Sequence, residues 1–132
     1  MAPTPQGGLL FVYGSLQRGQ PNHSWLAEAP CLGETELAGV DLYDLGPFPM
    51  AIAGAGRLQG ELYRVEEPLL RRLDRFEGVP RLYRRERWSL ADGRPVWIYL
   101  GSARQVRHSP RLAEGRWPQR PGAQALNGRA AR

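Results

Sequence analysis

The sequence contains no lysine, and all 18 of its basic residues are arginine. A phosphate-binding loop of the Gly-x-x-x-x-Gly-Lys type is therefore excluded, because its ammonium donor is missing. Cys31 is the single cysteine, so an intrachain disulfide cannot form. Together with the two histidines, His23 and His108, it gives no metal-ligand spacing, and we expect no metal site.

Long hydrophobic runs are also missing. The apolar run that begins at Leu9 is too short for a membrane span or for the core of a secretion signal, and residues 1–8 carry no basic side chain. These features, with the lack of disulfides, predict a cytoplasmic protein that has no membrane partner.

Positive charge is scarce in most of the chain. Residues 1–100 carry 11 arginines against 12 acidic side chains, whereas residues 101–132 carry seven arginines against Glu114 alone. The folded part of the chain therefore lacks the excess of positive charge that is typical of nucleic-acid binding. Nucleic-acid binding by the arginine-rich C-terminal segment is a separate alternative, and it would require a steep salt dependence. We expect one domain over residues 1–120 and a disordered, arginine-containing tail over residues 121–132.

Glycine and proline are abundant, with 16 and 12 residues, and favour many short elements joined by turns. Apolar or alternating runs predict strands at 9–13, 40–45, 50–53, 58–65, 83–90 and 95–100, with weaker alternation at 32–37. Asp92-Gly93 predicts a hairpin, and residues 54–56 predict a turn. Helices are predicted from Pro68 to Gly78 and, more briefly, over residues 22–29 behind an Asn22 N-cap. This pattern indicates an α+β barrel or a strongly coiled sheet.

The loop after the first strand is a candidate binding element. The strand stops at Gly14, where the missing Cβ lets the following backbone N–H groups face a cavity and cradle an anion. An ordinary strand-to-loop turn explains the same residues. Ser15 and His23 could in principle form a nucleophile pair, but no third member is placed to orient them.

Glu77 is the candidate acid or base. It follows Leu73 by four residues and Leu70 by seven, so it shares the buried face of the predicted helix near its C-terminus. Burial and the helix dipole both raise the pKa of a carboxyl placed there, as proton transfer near neutral pH requires. The alternative is an ion pair with Arg81, Arg84 or Arg85. Asp74 is expected on the solvated side, beside Arg71 or Arg75.

Ordered motifs between residues 9 and 117 resemble the γ-glutamylcyclotransferase-like family, especially its γ-glutamylamine cyclotransferase branch and bacterial relatives. They are Val12-Tyr13-Gly14-Ser15-Leu16, Arg18-Gly19-Gln20-Pro21-Asn22-His23, Leu45-Gly46-Pro47-Phe48-Pro49, Gly60-Glu61-Leu62-Tyr63, Leu73-Asp74-Arg75-Phe76-Glu77-Gly78, Leu82-Tyr83-Arg84-Arg85 and Trp97-Ile98-Tyr99. Gly115-Arg116-Trp117 is similar to a Gly-Asp-Trp element of bacterial members, with Arg116 as a departure.

The resemblance implies a small mixed β-barrel of short strands with a few short flanking helices. It also implies cleavage of a γ-glutamyl amide to 5-oxoproline and an amine, with Glu77 as general acid and base. The backbone from Tyr13 through Gly14 and Ser15 to Leu16 would hold the γ-glutamyl part, and no cofactor would be needed.

Further expectations concern the surroundings of the site and its partners. Tyr83 and Tyr99 are expected near the rim of the cavity, with plain core packing as their alternative. The partner is expected to be a small γ-glutamyl molecule, with no nucleic acid, and the protein to be a monomer or weak homodimer. The alternative function is a non-enzymatic small-ligand binding protein or a related acyl-transfer enzyme on the same fold.

Overall fold

The computed structural model describes residues 8–118, which form five strands and three short helical elements. The strands are β1 (Gly8–Val12), β2 (Cys31–Asp44), β3 (Pro49–Val65), β4 (Arg84–Ser89) and β5 (Pro95–Leu100). The helices are α1 (Glu67–Phe76) and α2 (Ala103–Val106), and a 3₁₀ turn spans His23–Leu26. The predicted tail, residues 121–132, lies outside the described residues.

The strands form one mixed sheet in the order β2-β3-β1-β5-β4. β1 is antiparallel to β3 and parallel to β5, and the hairpin of β4 and β5 turns at Asp92-Gly93 as predicted. The sheet curls into a half-barrel, so the predicted α+β barrel class is confirmed. Both faces are buried: one apolar cluster includes Phe11, Leu62 and Ile98, and another packs helix α1 against the opposite face.

The predicted turn at residues 54–56 is wrong, because these residues lie inside the 17-residue strand β3. They coincide with a register shift against β2, where the side chain of Asp41 approaches closely. A Cβ at Gly54 would lie only 2.2 Å from Oδ2 of Asp41. The glycines therefore make room for a neighbouring side chain instead of turning the chain, so β2 and β3 are longer than the short strands expected.

Helix α1 begins and ends as predicted. Pro68 occupies its first turn, and Gly78 follows its C-terminus in the left-handed conformation, with φ of +70°. Leu70 and Leu73 are buried, whereas Phe76, the last residue of the helix, is 37% exposed. No helix within residues 8–118 is long and apolar enough to cross a membrane.

The short helix predicted over residues 22–29 is reduced to the 3₁₀ turn of four residues. Asn22 precedes this turn, but its side chain makes no capping hydrogen bond there. It donates instead to Oγ of Ser15 at 2.9 Å, so Asn22 serves the loop after β1. This placement brings the 3₁₀ turn against the predicted binding loop.

Candidate active site

A cavity of about 290 Å³ lies where the loop after β1 meets the C-terminal end of α1. All seven residues predicted for the site line it: Tyr13, Gly14, Ser15, Leu16, Glu77, Tyr83 and Tyr99. Its remaining walls include Phe48, Pro49 and Trp117, which the sequence did not single out as site residues. Residues distant along the chain therefore meet at one concave surface, as small-molecule sites commonly do.

The loop after β1 offers unused hydrogen-bond donors. Within the described residues, the backbone N–H groups of Gly14, Ser15 and Leu16 donate to no protein acceptor. The carbonyl oxygens of the same three residues all accept hydrogen bonds, from Gln17, Asn22 and His23. The hydrogen bonds to its carbonyl oxygens hold the loop in place. Its free N–H groups are therefore suited to bind a carboxylate or a developing oxyanion.

Steric packing requires a glycine at position 14. A Cβ placed there would lie 2.8 Å from Cγ of Pro49, which is closer than real Cβ atoms approach. The backbone of the loop can therefore lie against Pro49 only because residue 14 has no side chain. The sequence predicted that the missing Cβ leaves the loop's N–H groups open to a cavity, and the contact with Pro49 is a further reason for glycine at this position.

Ser15 and His23 do not form a nucleophile pair. Oγ of Ser15 accepts the hydrogen bond from Asn22, and Nδ1 of His23 lies 3.0 Å from the carbonyl oxygen of Leu16. Because a carbonyl can only accept, this ring nitrogen carries the proton. Both side chains thus stabilise the loop.

A buried carboxylate anchors the far end of the loop. Glu61, only 7% exposed, accepts hydrogen bonds from the backbone N–H of Arg18 at 3.0 Å and from the Tyr63 hydroxyl at 2.9 Å. Gln17 ties the loop to the C-terminal part of the domain, since Nε2 donates to the carbonyl oxygen of Trp117 at 2.6 Å. Sequence reasoning missed these contacts, because strand β3 carries other charged and polar residues as well and nothing local singles out Glu61.

Glu77 follows the last residue of α1, and its side chain enters the cavity wall. Burial disfavours the carboxylate and raises the pKa of Glu77 from its ordinary 4.5 to about 7. Within the described residues, its carboxylate forms no ion pair: Arg84 binds Glu86 at 2.9 Å, and Arg85 binds Asp74 at 2.7 Å. The ion-pair alternative is therefore not observed, and the carboxyl is free to exchange a proton near neutral pH.

The expectation for Asp74 is wrong. Its carboxylate turns toward the sheet, accepts two hydrogen bonds from Arg85 at 2.7 and 3.0 Å, and accepts a third from the Tyr99 hydroxyl at 2.8 Å. The Arg85 guanidinium also stacks 4.2 Å from the ring centre of Trp97, which favours this arrangement over a solvated pair with Arg71 or Arg75.

Tyr83 and Tyr99 form inner walls of the cavity instead of its rim. They are 6% and 3% exposed, and both belong to the apolar cluster around α1, so the core-packing alternative also holds. The Tyr83 hydroxyl donates to the carbonyl oxygen of Pro49 at 2.7 Å. Burial raises the pKa of both phenols. The Asp74 carboxylate raises the pKa of Tyr99 further, and Glu77 adds to the shift at both, so the two phenols stay protonated at neutral pH.

Tyr13 is also buried, and its hydroxyl connects the loop to two strands. It donates to the carbonyl oxygen of Tyr99 at 2.5 Å and accepts from the N–H of Ala51 at 3.2 Å. Burial raises the pKa of this phenol well above its usual value.

Across residues 8–118, no cluster of three His, Cys, Asp or Glu side chains is arranged to hold a metal ion.

Comparison with known proteins identifies relatives over nearly all of this domain. The family described as "Gamma-glutamyl cyclotransferase, AIG2-like" matches residues 10–119. The Escherichia coli K12 protein named "Gamma-glutamylcyclotransferase family protein YtfP" is 35% identical over 91 residues, covering 69% of this chain and 80% of its own. Human gamma-glutamylaminecyclotransferase is 40% identical over 97 residues, covering 58% of each chain.

Solved structures agree with these matches. The solution structure of Escherichia coli YtfP superimposes with a TM-score of 0.65 at 33% identity and covers 84% of this chain and 96% of its own. The crystal structure of a mouse AIG2-like protein gives a TM-score of 0.70 at 26% identity, covering 89% and 92% of the two chains.

Proposed function

The chain belongs to the AIG2-like gamma-glutamyl cyclotransferase family, and from this premise we propose that it converts a γ-glutamyl amide into 5-oxoproline and a free amine. One observation carries the proposal. A single cavity is lined both by Glu77, whose pKa burial raises to about 7, and by Gly14, Ser15 and Leu16, whose backbone N–H groups have no acceptor within residues 8–118.

The nucleophile in this reaction is the α-amine of the substrate. Its nitrogen attacks the γ-carbonyl carbon of the same molecule, which closes a five-membered ring, and the bond from that carbon to the leaving nitrogen then breaks. No water is consumed, because the two products together contain the atoms of the substrate. The protein's main task is to hold the substrate in a folded, attacking conformer, for which intramolecular reactions offer large effective molarities.

Glu77 would move the protons. As a carboxylate it accepts a proton from the α-ammonium, which frees the nitrogen lone pair for attack. As a carboxylic acid it returns that proton to the departing nitrogen, so that the leaving group departs as a neutral amine. The second proton that the α-nitrogen loses in becoming the lactam N–H is released to solvent water. A pKa of about 7 leaves both forms populated at neutral pH, which suits a group that acts as base and then as acid.

The loop after β1 would hold the anionic parts of the substrate. The N–H groups of Gly14, Ser15 and Leu16 can bind either the α-carboxylate or the oxygen of the γ-carbonyl as negative charge develops on it. Because Glu61 and Gln17 anchor the loop, these dipoles need little reorganisation during the reaction. The mechanism requires no metal and no organic cofactor.

The direct test incubates the protein with a panel of γ-glutamyl amides and measures 5-oxoproline and free amine by mass spectrometry. We expect both products in equal amounts from the wild type and at least ~100-fold less from Glu77→Gln, as is typical when an acid–base group is lost. Binding of 5-oxoproline with no turnover of any amide would instead indicate the non-enzymatic ligand-binding alternative.

We also propose that the protein works in the cytoplasm on a small molecule, as a monomer or weak homodimer.

A further inference from the structure

The solvent-facing part of the cavity is apolar. Five side chains line it there, and we call them the apolar mouth: Pro21, Pro47, Phe48, Phe76 and Leu82. Phe76 and Leu82 are 37% and 40% exposed, and both border the cavity that Glu77 lines. Exposed apolar surface that continues a cavity commonly marks the place where a ligand is bound.

Local structure fixes Phe76 and Leu82 beside Glu77. The ring of Phe76 packs on that of Trp25, with 5.0 Å between ring centres and 36° between planes. Leu82 is drawn back to the end of α1 by the hydrogen bond from its N–H to the carbonyl oxygen of Gly78, at 2.8 Å. The left-handed turn at Gly78 therefore positions Leu82 over the segment that carries Glu77.

The cavity is also poor in charged side chains. Among its described lining residues, Glu77 is the only carboxylate and no side chain is cationic. The two arginines that directly follow Tyr83 are turned away, since Arg84 pairs with Glu86 and Arg85 with Asp74. Arg81, which precedes Leu82, lines a separate pocket. A substrate part that carries its own carboxylate would thus find no cation among the described lining residues of this cavity, and it would be repelled when Glu77 is ionised.

We propose that the leaving amine is a small apolar primary amine with no carboxylate, such as an arylalkyl or branched alkyl amine. This rests on the cyclisation proposed above: the γ-glutamyl part lies between the loop after β1 and Glu77, and the amine substituent lies against the apolar mouth. The ring-forming bond joins the α-nitrogen to the γ-carbon, the amide bond to the substituent nitrogen breaks, and the proton from Glu77 completes the released amine. A cavity of about 290 Å³ limits the substituent to a small group.

The test compares γ-glutamyl-phenethylamide with γ-glutamylphenylalanine, which differ only by a carboxylate on the leaving amine. We expect kcat/KM for the amide to be roughly 10-fold higher or more, because the carboxylate has no cation to pair with. Lengthening an alkyl series from ethylamide to isopentylamide should raise kcat/KM by ~4-fold for each buried methylene.

Substitutions of Leu82 test whether the apolar mouth selects the leaving amine. Leu82→Gln should lower kcat/KM for the phenethylamide by ~4-fold or more. Leu82→Arg should raise kcat/KM for γ-glutamylphenylalanine several-fold by supplying a cation for its carboxylate. The control is Leu32→Gln, since Leu32 is 42% exposed on β2 and does not line the cavity. It should leave the ratio between the two substrates unchanged.

Two outcomes would overturn the inference: equal or faster turnover of γ-glutamylphenylalanine, or a Leu82→Gln variant whose selectivity matches that of Leu32→Gln. If no amide is turned over at all, the proposed function fails separately, and the inference is then judged by binding. Calorimetry on Glu77→Gln must show tighter binding of the phenethylamide than of γ-glutamylphenylalanine, and the reverse order would contradict it.

Discussion

Replacing Glu77 with glutamine separates its proposed chemical role from its role in the fold. The side chain keeps its size and its hydrogen-bonding reach, but it can no longer accept or release a proton. Because Glu77 would act both as base and as acid, we expect 5-oxoproline formation to fall by ~10²–10⁴-fold. The wild-type profile of kcat/KM should rise with pH through about 7, where Glu77 ionises, and the residual activity of the variant should lack that step.

The same substitution has a calculable effect on stability. Burial raises the pKa of Glu77 from 4.5 in an exposed chain to about 7 in the folded protein, and each unit of pKa corresponds to ~1.4 kcal/mol. Below pH 4.5 the group is protonated in both states and contributes nothing. Between 4.5 and about 7 the unfolded chain releases the proton first, so the wild type loses on the order of 3 kcal/mol as pH rises.

Glutamine has no proton to release, so the variant does not suffer this loss. The free energy of unfolding of Glu77→Gln should therefore be close to that of the wild type near pH 4.5 and exceed it by up to about 3 kcal/mol above pH 7.5. Urea unfolding at a series of pH values measures this difference, because the other ionisable groups are common to both proteins.

Two results would refute the reasoning on Glu77. Turnover near the wild-type level would end its assignment as acid and base. A variant less stable than the wild type above pH 7.5 would show that the charged carboxylate is stabilised in the folded protein, as an ion pair would make it. Binding of 5-oxoproline serves as the control for the site, since the loop after β1 is unchanged and should still bind it.

Three further substitutions test the framework of the site. Gly60→Ala should destabilise the protein by roughly 1–3 kcal/mol in urea unfolding, because its Cβ would lie 2.3 Å from the carbonyl oxygen of Val12. Leu73→Ala, at a fully buried position of α1, should cost ~2–5 kcal/mol in the same assay. Glu61→Ala removes the acceptor of the Arg18 N–H and should destabilise by ~1–3 kcal/mol. Unlike Leu73→Ala, it should also weaken 5-oxoproline binding in calorimetry at a temperature where both variants are folded.

Local sequence signals were sufficient where one element decides the structure. The spacing of Leu70, Leu73 and Glu77, with Pro68 before them and Gly78 after, predicted a helix whose buried face ends in a carboxylate. The structure has that helix, and burial alone accounts for the raised pKa of Glu77. Both features depend on residues within about three turns of one another, so the sequence carries the information directly.

Pairing across the sheet could not be predicted in the same way. Residues 54–56 resemble a turn until Asp41 is placed beside them, and Asp74 resembles a solvated residue until Arg85 and Tyr99 reach it. In each case the deciding contact comes from a strand whose register is set by the whole sheet. The same limit applies to Glu61, whose function in the loop depends on where residue 18 lies.

The end of α1 shows how stability and the proposed chemistry share one short segment. Asp74 is bound by Arg85 and by the Tyr99 hydroxyl, so the last turn of the helix is fixed to β4 and β5. Glu77 lies three residues later, forms no ion pair within residues 8–118, and is desolvated instead. One helix end thus gives the Asp74 carboxylate an arginine and a phenol as hydrogen-bond partners and buries the Glu77 carboxyl, whose pKa rises to about 7. Asp74 therefore holds the helix to the sheet through Arg85 and Tyr99, whereas the proposed reaction uses Glu77 as the group that gains and loses a proton.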